Sequence, residues 1–373
     1  MQRIKKRLFK GGSMKGSEEL GRSDADADSL ALDEAALPEA LAPEAREILP
    51  HNLSGWLGAA LSIALFAGAM YFLGRIIVNL RFEEFIAALK ATSGPRLLFA
   101  FATTIASYTA LLGYDLLALH VLDRRPPLRV TALASLAGNA FSFTLGFPLL
   151  TGVATRYWIY SKEGLSAREV VTITLFATLT FWLGMTTLAA LGFVFGAVSL
   201  ASIDHLPWFA NIAAGLLLFG GLYTYAFFIA GKRGTLRLFG GVLQLPGPRV
   251  FLGQLAVGVA DFGGAALTIY AFLPPETQSV GPLALGAVYV AAAIVGGASH
   301  APGGIGVFEA FMLGVLYAPS QESLLAALLL FRIFYYLVPF SIATLLIARQ
   351  GGGNRWAELR EVFFKLLRRR GPS

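Results

Sequence analysis

ASHAPGGIGVFEAF, residues 298–311, interrupts a chain that is otherwise mostly apolar. It sets a histidine, a proline, three glycines and a glutamate where a membrane helix favours leucine and valine. The surrounding composition says why this matters. The 373 residues are 56% hydrophobic and only 14% charged, with a mean hydropathy of +0.65, against roughly 25% charged residues in ordinary soluble domains. That is an all-α polytopic membrane protein, with about eight transmembrane or re-entrant segments.

Apolar runs near the roughly 20 residues that cross a bilayer core recur at 55–73, 96–120, 169–199, 208–231, 250–273 and 324–348. They are continuous and lack the alternation of an outer-membrane barrel strand, so they read as helices. Cysteine is absent, which excludes disulfides, thiolate metal sites and cysteine nucleophiles.

The basic start MQRIKKRLFK is followed by GGSMKGSEEL where a signal peptide would place its apolar core, so no cleaved signal is expected. Met14 is a second candidate start. Residues 1–54 are expected to be a cytoplasmic, mostly disordered tail, because the Asp, Glu, Ala and Ser of 11–50 show no apolar period. The membrane domain is placed at 55–348, with halves at 55–199 and 208–348. At the C-terminus, 349–373 reads as a basic interfacial helix, with Trp356, Leu359, Phe363 and Leu366 on one face and Arg368, Arg369 and Arg370 beside it. The pI of about 9.6 thus points to a membrane surface, and no interleaved pattern argues for nucleic acid.

Lysine and arginine in short loops mark the cytoplasmic side. The loops 200–207 and 274–282 hold neither and are expected outside, while 154–168, 232–249 and 349–373 are expected inside. Both termini are then expected to be cytoplasmic. The basic loop at 123–129 also belongs inside, which conflicts with a full crossing by 131–153. The conflict disappears if 131–153 enters and returns on one side. Gly138, Asn139, Gly146, Pro148 and Gly152 fit that reading, because broken backbone at membrane depth is tolerated only inside protein or along a wet cavity. Likewise 283–319, broken by HAPGG, is expected to enter and return on the outer side. The turn at its tip is assigned to Pro302, Gly303, Gly304 and Gly306.

The halves align by eye. A span (55–73; 208–231) precedes an amphipathic or interfacial stretch (81–94; 234–247) and a span with one aspartate (Asp115; Asp261). A Gly/Pro-broken segment (131–156; 284–309) and a closing span (169–199; 324–348) follow. One half starts inside and the other outside, which is an inverted-topology repeat. Interrupted segments at corresponding positions are the sequence pointer to a substrate site at the midplane.

Ionisable groups in a membrane segment are costly and face protein or water. Here they are Asp115, Arg156, Asp261, His300, Glu309 and Arg332. Each fits an interhelical ion pair or hydrogen bond that fixes the fold, and each also fits contact with a substrate or a proton. Arg156, flanked by Tyr157 with Asn139 upstream, suits a bidentate grip on a lipid phosphate or a positive-inside anchor. Arg332 lies inside the last span, with Tyr335, Tyr336 and Pro339 at three, four and seven residues beyond. A polar stripe there implies a cavity or a partner such as Glu309, and Pro339 frees a carbonyl one turn earlier. Glu309 suits the first turn of a half-helix, or a cationic head group. His300 reads as a hydrogen-bonding residue before a turn. GGIG can cradle a phosphate, but it lacks the strand and the Lys-Ser/Thr of a nucleotide loop. No His pair at metal spacing and no nucleophile elbow occurs, so neither a metal, another cofactor nor a catalytic residue is expected.

Three stretches carry a family resemblance together: GNAFSFTLGFPLLTGVATRYWIYSKEGLS (138–166), ASHAPGGIGVFEAF, and FRIFYYLVPFSIATLLI (331–347). They resemble the transmembrane region of bacterial lysylphosphatidylglycerol synthases, the multiple-peptide-resistance-factor family, over roughly 55–348. Full-length members add further helices and a transferase that attaches an amino acid to phosphatidylglycerol, and the membrane region moves the product between leaflets. The 373 residues hold no room for that transferase, so the resemblance implies a stand-alone flippase-like member. The expected activity is translocation of a phospholipid or lipid-linked head group, without enzymatic chemistry. A second reading makes the chain a non-transporting partner of a lipid-modifying or glycosyl-transferring enzyme. An intramembrane enzyme lacks any nucleophile–base pair.

Overall fold

The long helices begin on residues suited to a helix start. Pro95, Pro248 and Pro282 stand at the first positions of three of them, where a missing N–H costs nothing. Ser166 and Ser320 cap two others by accepting from the backbone N–H of Glu169 and Ser323. The computed structural model describes residues 92–145, 148–228, 235–238, 241–244, 247–299 and 301–350, together with Glu83, Ile86 and Lys90. The expected first span at 55–73, both terminal tails and His300 lie outside the described residues.

In chain order the elements are α1 (Gly94–Val121), α2 (Leu128–Leu145), α3 (Pro148–Tyr160), α4 (Ala167–Phe195), α5 (Ala197–Asp204) and α6 (Trp208–Phe228). After these come the strands β1 (Thr235–Leu238) and β2 (Gly241–Gln244), then α7 (Pro248–Phe272), α8 (Pro282–Ala298) and α9 (Val307–Val315). The chain continues through α10 (Gln321–Phe331), a π-helical stretch at Arg332–Leu337, and α11 (Val338–Gln350). Five helical stretches among the described residues are long and apolar enough to span: α1, α4, α6, α7 and the continuous Gln321–Arg349. The short α2, α3, α8 and α9 form the two broken segments.

Gly94 and Pro248, Leu128 and Pro282, and Ala167 and Gln321 open corresponding helices, each pair 154 residues apart (248 − 94, 282 − 128, 321 − 167). In both halves a long helix is therefore followed by a broken hairpin and a closing span. In the second half, 234–247 is expected to be an amphipathic or interfacial counterpart of 81–94. Its described residues pair as an antiparallel hairpin, Thr235 opposite Gln244 and Leu238 opposite Gly241. The glycine pair at 240–241 breaks any helical period there and favours a tight reversal.

Each hairpin is closed at its base. The Arg124 guanidinium meets the Glu169 carboxylate at 2.6 Å, joining the loop before α2 to the start of α4. The Thr277 hydroxyl donates to the Tyr317 carbonyl at 2.8 Å, joining the loop before α8 to the chain after α9. Both broken segments therefore return to the end they entered from. Within the first, Gly138 lies beside Arg156 and Gly152 beside Ser142, so α2 and α3 run antiparallel.

The two halves grip one another. Helices α1 and α7 cross antiparallel, with Thr103 on Thr268, Gly113 on Val257 and Gly253 on Leu117. One apolar core gathers Ala134, Ala137, Ile159, Val170 and Phe176 from the first half, and receives Ala343 and Ile347 from α11. The other gathers Ile269, Leu285, Phe308 and Leu328 from the second half, and receives Met185, Leu188 and Ala189 from α4. Each closing helix thus packs into the opposite core. At about 25 cal/mol per Å2 of buried apolar surface in water such exchange would be strongly stabilising. In a bilayer it works chiefly through close packing.

Candidate functional site

Three buried polar nodes lie where α1, α7 and the hairpins converge. The first joins α1 to the first hairpin. Arg156 donates from Nε to Asp115 Oδ2 at 3.0 Å and from Nη2 to Oδ1 at 2.9 Å, with both side chains almost wholly buried. Tyr160, one turn further along α3, donates to Oδ2 at 3.0 Å, and Asn139 Oδ1 accepts from Arg156 Nη2 at 3.4 Å. Lacking side chains, Gly138 and Gly152 leave room for the guanidinium. A Cβ at Gly138 would stand 2.9 Å from Nη1. Fully buried charges survive only when paired with good geometry, and this fork-on-fork arrangement supplies it.

The second node sits at the tip of the second hairpin. Gly303, Gly304 and Gly306 have φ of 60°, 63° and 84°, a left-handed backbone in which other residues are strained. That turn delivers Glu309 to the first turn of α9. There its Oε2 accepts from the Gly306 N–H at 2.7 Å and its Oε1 from Arg332 Nε at 2.6 Å. Arg332 Nη1 donates to the Gly303 carbonyl at 2.5 Å. Rings flank the guanidinium, with the Tyr336 centroid at 4.6 Å and that of Phe308 at 5.1 Å. Its Nη2 is buried and has no hydrogen-bond partner among the described residues.

The two tips touch. A Cβ on Gly303 would come within 2.9 Å of the Phe143 carbonyl at the end of α2. The Phe143 ring lies 6.3 Å from that of Tyr336 and 6.5 Å from that of Tyr335.

The third node is Asp261 on α7, 2% exposed. It accepts from Ser107 at 2.7 Å, from Tyr114 at 2.9 Å and from Tyr335 at 3.2 Å. The Ser107 and Tyr335 hydroxyls are 2.8 Å apart. The carbonyl freed by Pro339 one turn earlier is that of Tyr335, and the Tyr108 hydroxyl donates to it at 3.0 Å. The surrounding backbone is a π turn, a form concentrated at functional sites.

The sequence candidates thus divide. Asp115, Asn139 and Arg156 meet in one node. Gly303, Gly306, Glu309, Arg332 and Tyr336 meet in another, and Asp261 with Tyr335 in the third. Pro302 opens the turn that carries the second node. Tyr157 packs, partly buried, against the apolar core of the first half. Sequence reasoning missed Ser107, Tyr108 and Tyr114. Tyr114 precedes Asp115, but hydroxyls on an apolar helix give no sign of which carboxylate they serve.

The family model of the lysylphosphatidylglycerol synthase transmembrane region matches residues 57–343. The chain is 29% identical over 290 residues to the Synechocystis protein slr0712, covering 77% of this chain and 89% of the relative. It is 29% identical over 269 residues to the inner membrane protein YbhN of Escherichia coli, covering 70% and 82%. It is 24% identical over 303 residues to phosphatidylglycerol lysyltransferase of Staphylococcus aureus, covering 79% of this chain but 34% of that protein.

Proposed function

Since the chain belongs to the lysylphosphatidylglycerol synthase transmembrane-region family, we propose that it moves a phospholipid or lipid-linked head group between the leaflets of a bacterial inner membrane. One observation carries this reading: Arg332 Nη2 is a buried cationic donor with no hydrogen-bond partner among the described residues, beside a glycine-rich hairpin tip. A phosphate oxygen is the acceptor that suits it. Glu309 holds Nε of the same guanidinium and the Gly303 carbonyl holds Nη1, so the donor is fixed in direction before a ligand arrives.

In this scheme Arg332, with Tyr336 and the Gly303–Gly306 turn, receives the anionic part of the head group. Glu309 lies within reach of a cationic or hydroxyl part. Arg156, paired with Asp115 and Asn139, holds the first hairpin in place. The name of the Staphylococcus relative makes phosphatidylglycerol and its lysyl ester the first lipids to test.

The test is dithionite quenching of fluorescent phosphatidylglycerol and lysylphosphatidylglycerol in vesicles holding the full chain. Arg332→Gln should slow translocation at least tenfold, and Arg156→Ala/Arg332→Ala should abolish it. Unchanged flipping in the double variant removes the site. One observation favours a non-transporting role instead: both arginines already have carboxylate partners. On that reading no labelled lipid moves, and a lipid-modifying enzyme co-purifies stably with the chain.

A further inference from the structure

Of the three carboxylates buried in the described hairpins and crossing helices, Asp115 and Glu309 are each met by an arginine. Asp261 is not. No lysine, arginine or histidine among the described residues pairs with it, and its hydrogen-bond partners are all hydroxyls. The titratable groups facing it are tyrosines: Tyr108 and Tyr114 from α1, Tyr289 from α8, and Tyr335 and Tyr336 from the π turn. Its charge is therefore met by hydroxyl donors alone, with no cation among the described residues to pair with it.

A metal cation is a poor fit. A hard ion needs several oxygens at about 2.3–2.6 Å around a central space, whereas these oxygens close on one another at 2.7–3.2 Å. That is hydrogen-bond spacing, and it leaves a proton as the occupant.

We propose that Asp261 is the proton-binding site that couples this transporter to a transmembrane proton gradient. The proposal builds on the transport reading above. Its chemistry follows from counting protons. With Asp261 ionised, Ser107 donates to it, and Tyr335 donates its single proton toward Ser107 and Asp261 together. When a proton from water binds a carboxylate oxygen, the acid becomes a donor to Ser107, and Ser107 turns its own proton toward Tyr335. The Tyr335 hydroxyl then faces only the neutral oxygen of the acid, a weaker acceptor than the carboxylate. Protonation therefore loosens Tyr335, three residues beyond Arg332 on one π turn, and deprotonation returns the proton to water and tightens its hold again. The proton at Asp261 and the anion at Arg332 thus act on one short stretch of backbone.

The decisive measurement is pH-difference infrared spectroscopy of the full chain in phosphatidylethanolamine–phosphatidylglycerol vesicles. Wild type should show a carboxylic-acid carbonyl band that titrates with pH and is missing from Asp261→Asn. Tyr335→Phe should keep the band and move its midpoint toward higher pH, because the ionised form has lost a donor. A band that persists in Asp261→Asn, or no titrating band, overturns the proposal. So does a Tyr335→Phe midpoint equal to that of wild type.

A second arm imposes a pH gradient on vesicles holding fluorescent phosphatidylglycerol. The gradient should skew the leaflet distribution in wild type and fail to do so in Asp261→Asn. The same skew from a sodium gradient at constant pH also overturns the proposal. If no labelled lipid moves under any condition, the transport reading fails, while the infrared titration still decides whether Asp261 binds a proton.

Discussion

Ser107 and Asp261 occupy equivalent positions of the two halves, 154 residues apart, and they hydrogen-bond directly to each other at 2.7 Å. A residue touches its own counterpart only on the axis that relates the halves, so the crossing of α1 and α7 marks that axis. Strict symmetry would place two carboxylates, or two hydroxyls, against one another there. The exchange of one for serine replaces repulsion with a donor–acceptor pair.

Gly138 is where the Arg156 guanidinium claims space. Gly138→Ala puts a Cβ 2.9 Å from Nη1 and 3.0 Å from Cζ, and should destabilise the protein by about 1–3 kcal/mol through overpacking. Gly297→Ala, where nothing lies within 4 Å, should stay within about 0.5 kcal/mol of wild type or gain slightly. Thermal unfolding in detergent compares the two.

Breaking the Arg156–Asp115 pair from one side leaves a buried charge unmatched. Arg156→Met should cost about 3–5 kcal/mol, and Asp115→Leu/Arg156→Met should recover more than half of that. A double variant as unstable as the single would show that the node depends on more than charge pairing.

The Tyr108–Tyr335 bond exists because Pro339 cannot supply a backbone donor. Tyr108→Phe should cost about 1 kcal/mol. In a Pro339→Ala background the new N–H serves the same carbonyl, so the cost of Tyr108→Phe should shrink toward zero. A double-mutant cycle on unfolding reads this coupling, and additive costs would remove the link.

Because the chain has no cysteine, single cysteines report sidedness cleanly. Asp204→Cys and Glu276→Cys should react with an impermeant maleimide in intact cells. Arg125→Cys and Lys162→Cys should react only after permeabilisation, as the distribution of lysine and arginine requires.

The described spans and both broken segments were legible because hydropathy and Gly/Pro placement are local properties. Gly303, Gly304 and Gly306 announced a turn, and the turn is there. Pro339 announced a free carbonyl, though not that the backbone would widen into a π turn to present it. Pairings between helices were illegible. Arg332 with Glu309 was foreseen as one option, but that Arg156 would meet Asp115 depends on how α3 lies against α1. Asp261 looked like the other aspartate and differs from it entirely, since its partners are hydroxyls brought from α1 and the π turn. The β1–β2 hairpin was missed because eight residues are too few for periodicity to separate strand from helix.

Arg124–Glu169 and Thr277–Tyr317 clamp each broken segment at its base, while its tip is held by the opposing tip at Gly303 and Phe143. In mechanical terms these are two cantilevers built into opposite walls and meeting end to end. A rotation of either wall by a few degrees is magnified along the beam and arrives as sliding at the meeting point, where the lone donor of Arg332 sits.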